Sequence, residues 1–379
     1  VVVSPGVPIN RHPIADHAAR AGVPIIGDIE LFALARASLP EHKVVAITGT
    51  NGKSTTTALV YHICVSAGRN ALMGGNIGLP IMGQDPLQPN AAGAGVYVLE
   101  LSSYQIDLTY SLAPDVSALI NLSPDHLDRY NGYEGYAASK ARLPGMQHVG
   151  QHAVFGAGDE DTLRIARETA DRDDGPQVRI VDPGALTGQA DWPSLQGPHN
   201  LQNAAIAIAM VEQLGITEAQ WRPALASFVG LPHRMERVAT HNGVLFVNDS
   251  KATNAASTAP ALGAFPRIHW IVGGLPKADD LDECTPWLGH VAAAYTIGEA
   301  GPRFAELLEP RVPVMRSEML CEAVRQAMDA AQPGDVVMLS PACASFDQFR
   351  DFEARGDAFR DMVMALIAER TERQGEAQP

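Results

Sequence analysis

The stretch VVAITGTNGKSTTTALVYHI, residues 44–63, holds the residues whose chemistry is most sharply defined. An apolar run from Val44 to Ile47 gives way to Thr48, Gly49, Thr50, Asn51, Gly52, Lys53, Ser54 and Thr55, and a helical pattern follows. A strand, a Gly-rich turn and a helix N-terminus together make an anion site, because the turn's N–H groups and the helix dipole both favour negative charge. Lys53 brings a positive charge to the outer phosphates of a nucleoside triphosphate, and Ser54 or Thr55 a hydroxyl for Mg2+. The usual spacing, G-x-x-x-x-G-K-[ST], is short by its first glycine, because the position five before Gly52 is Ile47. A bare helix cap is the alternative reading. The strand before and the helix after weigh against it.

Other residues offer complementary groups. Glu100 closes the apolar run GVYVLE, and His126 follows another, in NLSPDHLDRY. Both fall at C-terminal ends of predicted parallel strands, where open α/β sheets bind ligands. A carboxylate and an imidazole beside a triphosphate are candidate Mg2+ ligands, although Mg2+ prefers oxygen. DHLD by itself also reads as a helix cap, with Asp125 and Asp128 as capping or outer groups. Lys140, in YEGYAASKARL, reads alone as a solvated charge on a helix. His199, Asn200 and Asn203 open an Ala-rich helix and read as caps. Arg234 follows a Pro-containing turn, and a guanidinium there suits either a carboxylate partner or a forked contact to phosphate. Asp249 and Lys251 follow the strand-like VLFVN.

The elements that must position these groups alternate. Over residues 41–230, strands are expected at 44–48, 95–101 and 116–121, helices at 53–67 and 133–142, an irregular acidic stretch near 157–175, and a buried helix in LQNAAIAIAMVEQLG. Residues 231–370 restart the alternation with VLFVND, IHWIVGG, AAYTIGE and DVVMLS. This pattern predicts an α/β protein with parallel, doubly wound sheets in both blocks. The first would be a central P-loop-type sheet and the second a C-terminal Rossmann-like domain. Residues 1–40 read as a truncated α/β remnant: VVVSPGV as a buried strand, then a helix and a short strand in HPIADHAARAGVPIIG. A buried strand needs neighbours, so an N-terminal piece is expected to precede Val1. Residues 371–379, TERQGEAQP, read as a frayed tail.

Bulk properties narrow the class. A chain of 379 residues implies two or three domains. A hydrophobic fraction of 46% with 19% charged residues fits a globular protein. The net charge of −15 disfavours a nucleic-acid or anionic-membrane partner. Cys64, Cys284, Cys321 and Cys343 form no C-x-x-C and are expected to be reduced thiols, mostly buried, in a cytoplasmic protein without membrane insertion.

The shorter loop T-G-T-N-G-K-[ST]-T resembles that of the Mur ligase superfamily, as do LELSSYQ, NLSPDHLDRY, GPHNLQNAAIA, GLPHR, NDSKATN and LSPACASFDQF. The resemblance covers essentially the whole chain. It implies an ATP-dependent enzyme that joins an amino acid to a carboxylate by way of an acyl phosphate. LSSYQ, SKATN and SPACASFDQF are most similar to the member that adds D-glutamate to UDP-N-acetylmuramoyl-L-alanine in peptidoglycan precursor synthesis. ATP would then meet Gly49, Thr50, Asn51, Gly52, Lys53, Ser54 and Thr55, with Asn203, Arg234, Asp249 and Lys251. Two Mg2+ ions would be held by Ser54, Glu100, His126 and a carbamylated Lys140. Lys53, Glu100, His126 and Lys140 are the implied catalytic set. Asn76, Ser102, His199, Thr253, Lys277, Ser345 and Phe346 are the implied substrate contacts, with Cys343, Phe349 and Phe352 as packing. Leu275-Pro276, just before Lys277, departs from the more polar, Gly-containing spacer of many members, and this touches the glutamate pocket. No Gly-rich turn for the UDP diphosphate precedes Val1, so weak binding of the uridine nucleotide by this chain is expected. A monomer is expected. The alternatives are a sister Mur ligase or folylpolyglutamate synthase, a plain NTPase, or a nucleotide-binding module without chemistry.

Overall fold

The computed structural model describes residues 1–130 and 132–376, with the backbone alone at 127, 128 and 373–376. Residues 1–195 and 200–228 form one compact unit, and residues 196–199 and 229–379 a second.

The chain opens with helices α1 (Ile14–Ala21) and α2 (Asp28–Ala35). The first sheet is built from β1 (His42–Thr48), β2 (Ala71–Gly75), β3 (Gly95–Glu100), β4 (Val116–Leu119), β5 (His152–Gly156) and β6 (Gln177–Val181). Between them run α3 (Lys53–Ser66), α4 (Ser103–Asp107), α5 (Leu127–Tyr130), α6 (Tyr133–Gly145) and α7 (Glu160–Ala170), and α8 (Pro198–Glu212) and α9 (Glu218–Ser227) follow. The strand order is β2-β3-β1-β4-β5-β6, all parallel. Val44, Val45, Ala46 and Ile47 are all fully buried, which is why β1 reads as an unbroken apolar run rather than an alternating one. The order reverses around β1, so its C-terminal loop lies between the ends of β3 and β4.

Two expectations for this unit need correction. Residues 157–175 are not irregular. Asp159 caps α7 by accepting from Thr162 N at 2.8 Å, and Thr162, Ile165, Ala166 and Thr169 make a buried stripe. VVVSPGV is not a buried strand. Val2 forms one parallel bridge to Ile26, Val1 and Val2 are exposed, and Val3 and Val7 are half-buried. Helix α1 is as expected, and α8 is buried along nearly all of residues 203–211, as its composition requires.

The second unit carries β7 (Glu236–His241), β8 (Val244–Asn248), α10 (Ala255–Leu262), β9 (Ile268–Gly273), β10 (Val291–Ile297), α11 (Gly301–Leu308), β11 (Val314–Glu318), α12 (Leu320–Ala330), β12 (Val336–Leu339) and α13 (Phe352–Glu376). Its sheet order is β11-β10-β9-β12-β8-β7. Helices cover both faces, one around Trp270 and Phe304 and the other around Phe246, Tyr295 and Phe359. The sheet is parallel except at its edge, where β7 pairs antiparallel with β8. Asn242 and Gly243, both with positive φ, make the two-residue turn that such a hairpin needs, and this corrects the all-parallel expectation. Helix α13 continues into the expected frayed tail as far as Glu376, and 377–379 lie outside the described residues. None of the helices among the described residues is long and apolar enough to cross a membrane.

Candidate active site

The loop after β1 is a strand–turn–helix anion site. Ile47, at the position of the absent glycine, belongs to the buried strand and pairs with Glu100 of β3. The turn therefore begins one residue later and is shorter, not damaged. Gly49 and Gly52 have positive φ, and Gly52 stands at the N-cap of α3. A Cβ on Gly52 would collide with Asn203 Oδ1, so glycine here lets the buried Asn203 of α8 stand against the loop. The neighbouring β4 loop braces the turn. Thr50 N donates to Asn121 O at 2.9 Å, Asn51 N donates to Asn121 Oδ1 at 2.8 Å, and Thr50 Oγ1 donates to Ser123 O at 3.2 Å.

Two lysines converge on this loop. Lys53 Nζ donates to Gly49 O at 3.0 Å and to Thr50 O at 2.8 Å. Lys140 Nζ donates to Gly49 O at 2.8 Å and to Thr48 Oγ1 at 3.3 Å, and lies 4.8 Å from the centroid of the Tyr136 ring. Only 2% of Lys140 is exposed, which overturns the solvated reading. Burial, then the charge of Lys53, hold its ammonium well below the usual lysine range, with Asp125, Glu100 and Asp107 opposing. Thr55 begins α3 with Lys53 and Ser54, and Ser54 is buried at the start of that helix.

Glu100, at the C-terminal end of β3, is buried. Its Oε1 accepts from Asn76 Nδ2 at 2.9 Å, and its Oε2 has no hydrogen-bond partner. Asn76 N also donates to the main-chain Glu100 O at 2.8 Å, so Asn76 holds the backbone of Glu100 as well as its carboxylate. A buried carboxylate oxygen without a partner suits a cation. His126 has φ 51° and a half-exposed ring. Its Nδ1 lies 3.0 Å from Tyr104 Oη, and its Nε2 lies 3.6 Å from Asp125 Oδ2. Asp125 Oδ1 accepts from His126 N at 2.9 Å, just ahead of α5, whereas the side chain of Asp128 lies outside the described residues. Among the described residues no three His, Cys, Asp or Glu side chains converge on one point. Glu100 and the Ser54 hydroxyl offer oxygen donors of the kind Mg2+ prefers. Ser102 caps α4 with Gln105 in a capping box, so its hydroxyl is already engaged.

In the second unit the candidate residues leave the C-terminal ends of β8, β9 and β12, which are adjacent. Asp249 is buried. Its Oδ2 accepts from Ser340 Oγ at 2.7 Å and its Oδ1 from Met235 N at 3.1 Å. Burial pushes its carboxyl up to about 7, against the pull of these bonds and of Arg234. Lys251 Nζ lies 3.8 Å over the Phe352 ring, so Phe352 does more than pack. Lys277 Nζ donates to Thr253 Oγ1 at 3.2 Å. Leu275 and Ala344 pair through their backbones at 2.9 and 3.0 Å, which brings the Lys277 loop beside Ser345. Ser345 is buried, Phe346 is 69% exposed, Cys343 is buried, and Phe349 packs on the core. His199 Nδ1 is buried without a partner, and burial lowers its ring to about 4. Cys64, Cys284 and Cys343 are buried thiols and Cys321 is exposed.

Sequence reasoning missed several supports: Asn121 under the loop, Tyr104 on His126, Ser340 on Asp249, and Arg129, whose guanidinium lies 4.4 Å over the Tyr104 ring while Nη1 donates to Val7 O at 2.9 Å. Each lies inside a stretch already singled out, Tyr104 in LELSSYQ, Asn121 and Arg129 in NLSPDHLDRY and Ser340 in LSPACASFDQF, but the group it supports comes from another segment.

Comparison with known proteins adds independent findings. Residues 47–211 match the Mur ligase middle domain, and residues 233–343 match the Mur ligase glutamate ligase domain. A UDP-N-acetylmuramoylalanine–D-glutamate ligase of Novosphingobium aromaticivorans is 76% identical over 370 residues, covering 98% of this chain and 83% of that protein. The same-named protein of Sphingopyxis alaskensis is 58% identical, over 97% of this chain and 84% of its own length. The crystal structure of MurF ligase from Thermotoga maritima in complex with ADP shares the fold, with a TM-score of 0.66 at 19% identity, over 95% of this chain and 92% of that one. With two domain matches and relatives this similar along almost its full length, the chain belongs to the Mur ligase family of ATP-dependent amide ligases.

Proposed function

We propose that this protein joins D-glutamate to the free carboxylate of UDP-N-acetylmuramoyl-L-alanine, a step of peptidoglycan precursor synthesis in the cytoplasm. The observation that carries the substrate assignment is the 76% identity to a relative so named, over 98% of the chain. Residues 41–230 are assigned to ATP and residues 231–370 to the amino acid.

The substrate carboxylate attacks the γ-phosphorus of ATP, the P–O bond to ADP breaks, and an acyl phosphate forms. The amine of D-glutamate then adds to the acyl carbon, loses its proton, and expels inorganic phosphate to leave the amide. Lys53 and the N–H groups of residues 49–55 hold the phosphates and offset charge that builds on their oxygens. Asn203, Arg234, Asp249 and Lys251 are assigned to the nucleotide. Mg2+, when bound, neutralises phosphate charge, and Ser54, Glu100, His126 and a carbamylated Lys140 are the residues assigned to hold two such ions. Glu100 is kept in place by Asn76, and His126 is oriented by Tyr104. Lys140 supports the carbamate reading because its burial favours the neutral amine that reacts with CO2. His199 is assigned to the sugar-nucleotide side, together with Asn76 and Ser102. Thr253, Lys277, Ser345 and Phe346 are assigned to D-glutamate, with the Lys277 ammonium opposite its side-chain carboxylate.

The test is phosphate release from ATP by the full chain with UDP-N-acetylmuramoyl-L-alanine and one amino acid at a time. Release is expected with D-glutamate and not without an amino acid. Faster release with L-glutamate, or with another amino acid, overturns the substrate assignment. Equal release with no acceptor present makes the protein a plain NTPase.

A further inference from the structure

The six candidate ligand residues Asp249, Lys251, Thr253, Lys277, Ser345 and Phe346 sit on three loops, and one side chain from α13 meets all three. Arg355 is 1% exposed. Its Nε donates to Ser250 Oγ at 3.0 Å, and its Nη2 to Ser250 O at 2.9 Å and Cys343 O at 3.0 Å. Its Nη1 donates to Ala344 O at 3.1 Å. On the third loop, a Cβ built on Gly274 would lie 3.0 Å from Nη1 and would also collide with Ala344 O, so the glycine lets this loop close onto the guanidinium. All four of these acceptors are carbonyl or hydroxyl oxygens. Burial lowers the guanidinium to about 10, with Cys343 and then Asp347 pulling the other way, so it stays charged at neutral pH. Carbonyl dipoles satisfy its N–H groups without cancelling its charge. A planar fork with fixed donor directions also sets the spacing of the loops it bridges, as a lysine ammonium does not.

We propose that Arg355 is a positioning residue for the amino-acid substrate, setting the register of loops 248–254, 273–277 and 340–346 and lending them a positive field suited to an amino acid with two carboxylates. The substrate part of this rests on the assignment of the second unit to the amino acid.

Two variants of the full chain test it: Arg355→Lys, which keeps the charge and loses the fork, and Arg355→Gln, which loses both. Hydrogen exchange and steady-state kinetics are read together. Arg355→Lys is expected to speed backbone exchange in the three loops and leave the rest of the second unit as in the parent. It should raise KM for D-glutamate on the order of tenfold, with a smaller rise in KM for ATP through Asp249 and Lys251, which flank Ser250. Arg355→Gln should raise KM for D-glutamate further; if it does not fold, the lysine variant decides. Exchange that is unchanged in the loops, exchange that rises throughout the unit, or a KM for ATP that rises as much as or more than that for the amino acid would each overturn the proposal. If the parent rejects D-glutamate, the substrate assignment fails instead. The loop-confined exchange then still stands for or against Arg355, with KM read on whichever amino acid the parent accepts.

Discussion

The two sheet edges that carry the candidate ligands are finished in opposite ways. At the edge of the first sheet, two lysine side chains crowd one carbonyl and a carboxylate oxygen goes unanswered. Lys53 and Lys140 both donate to the Gly49 carbonyl, and Glu100 keeps a buried Oε2 without a partner. At the edge of the second, Asp249 has Ser340 and the Met235 N–H, Asn248 donates to Glu236 and Gly356, and Arg355 spends its donors on three backbone carbonyls and one hydroxyl. The contrast separates two demands. Phosphoryl transfer needs charges that are strongest when the highly charged transition state is present, so strain before binding is tolerable. Telling one amino acid from another needs fixed distances, which a satisfied hydrogen-bond framework provides.

Substitutions can break or sharpen that contrast. The largest effect is expected for Lys53→Ala. Its ammonium holds loop carbonyls and not core contacts, so ligase turnover should fall by about 10³-fold or more with the melting temperature nearly unchanged. Phosphate release and a thermal melt read the two outcomes, and near-parental turnover would reduce the loop to a helix cap. Next comes Lys140→Ala, expected to lose on the order of 10²–10³-fold in turnover. A short carboxylic acid at high concentration should recover part of it, while Lys140→Arg stays inactive because it keeps the wrong charge. A normally active arginine variant would leave Lys140 as a packing group and break the contrast at its centre.

Glu100→Gln should lower turnover by about 10²-fold and raise the Mg2+ concentration needed, yet cost no stability. Removing an unanswered buried charge is expected to leave urea unfolding unchanged or improved by about 1 kcal/mol. Marked destabilisation would mean that the carboxylate is structurally compensated after all. The second edge gives an effect on stability alone. The Asp249 carboxyl is raised from 3.8 to about 7 by burial, so the folded protein holds a proton that the unfolded chain gives up. That contribution is fully present below about pH 4 and is lost as pH rises through about 7, at most about 1.4 kcal/mol per pH unit. Asp249→Asn should lack this part of the slope, matching the parent near pH 4 and exceeding it above pH 7. Parallel stability curves for the two proteins would sink the assignment.

The first edge was largely legible in the sequence because its chemistry is contiguous. Glycines, lysine and hydroxyls follow one another in residues 49–55, and strand ends announce Glu100. The second was legible only as motifs. Arg355 looks like one charge among many in a polar helix, and its partner Ser250 is 105 residues away. Lys140 misled for the same reason: its helix has no strong apolar stripe, so nothing local shows that it turns inward to Gly49, 91 residues back. The helix at 160–170 was hidden by its acidic composition, although Ile165 and Ala166 already have helical spacing with Thr162 and Thr169.

The lysine curled onto its own loop has a consequence for turnover. An anion entering the loop must first displace Lys53 from the carbonyls of Gly49 and Thr50. A triphosphate can do so because many oxygens engage the loop at once. A single inorganic phosphate has fewer contacts to offer in exchange, so the loop carries a threshold that favours polyanions over the small anions of the cell. The same threshold acts when the reaction ends. Once the phosphate produced is alone, Lys53 can return to its carbonyls and help expel it, so product inhibition by phosphate should be weak.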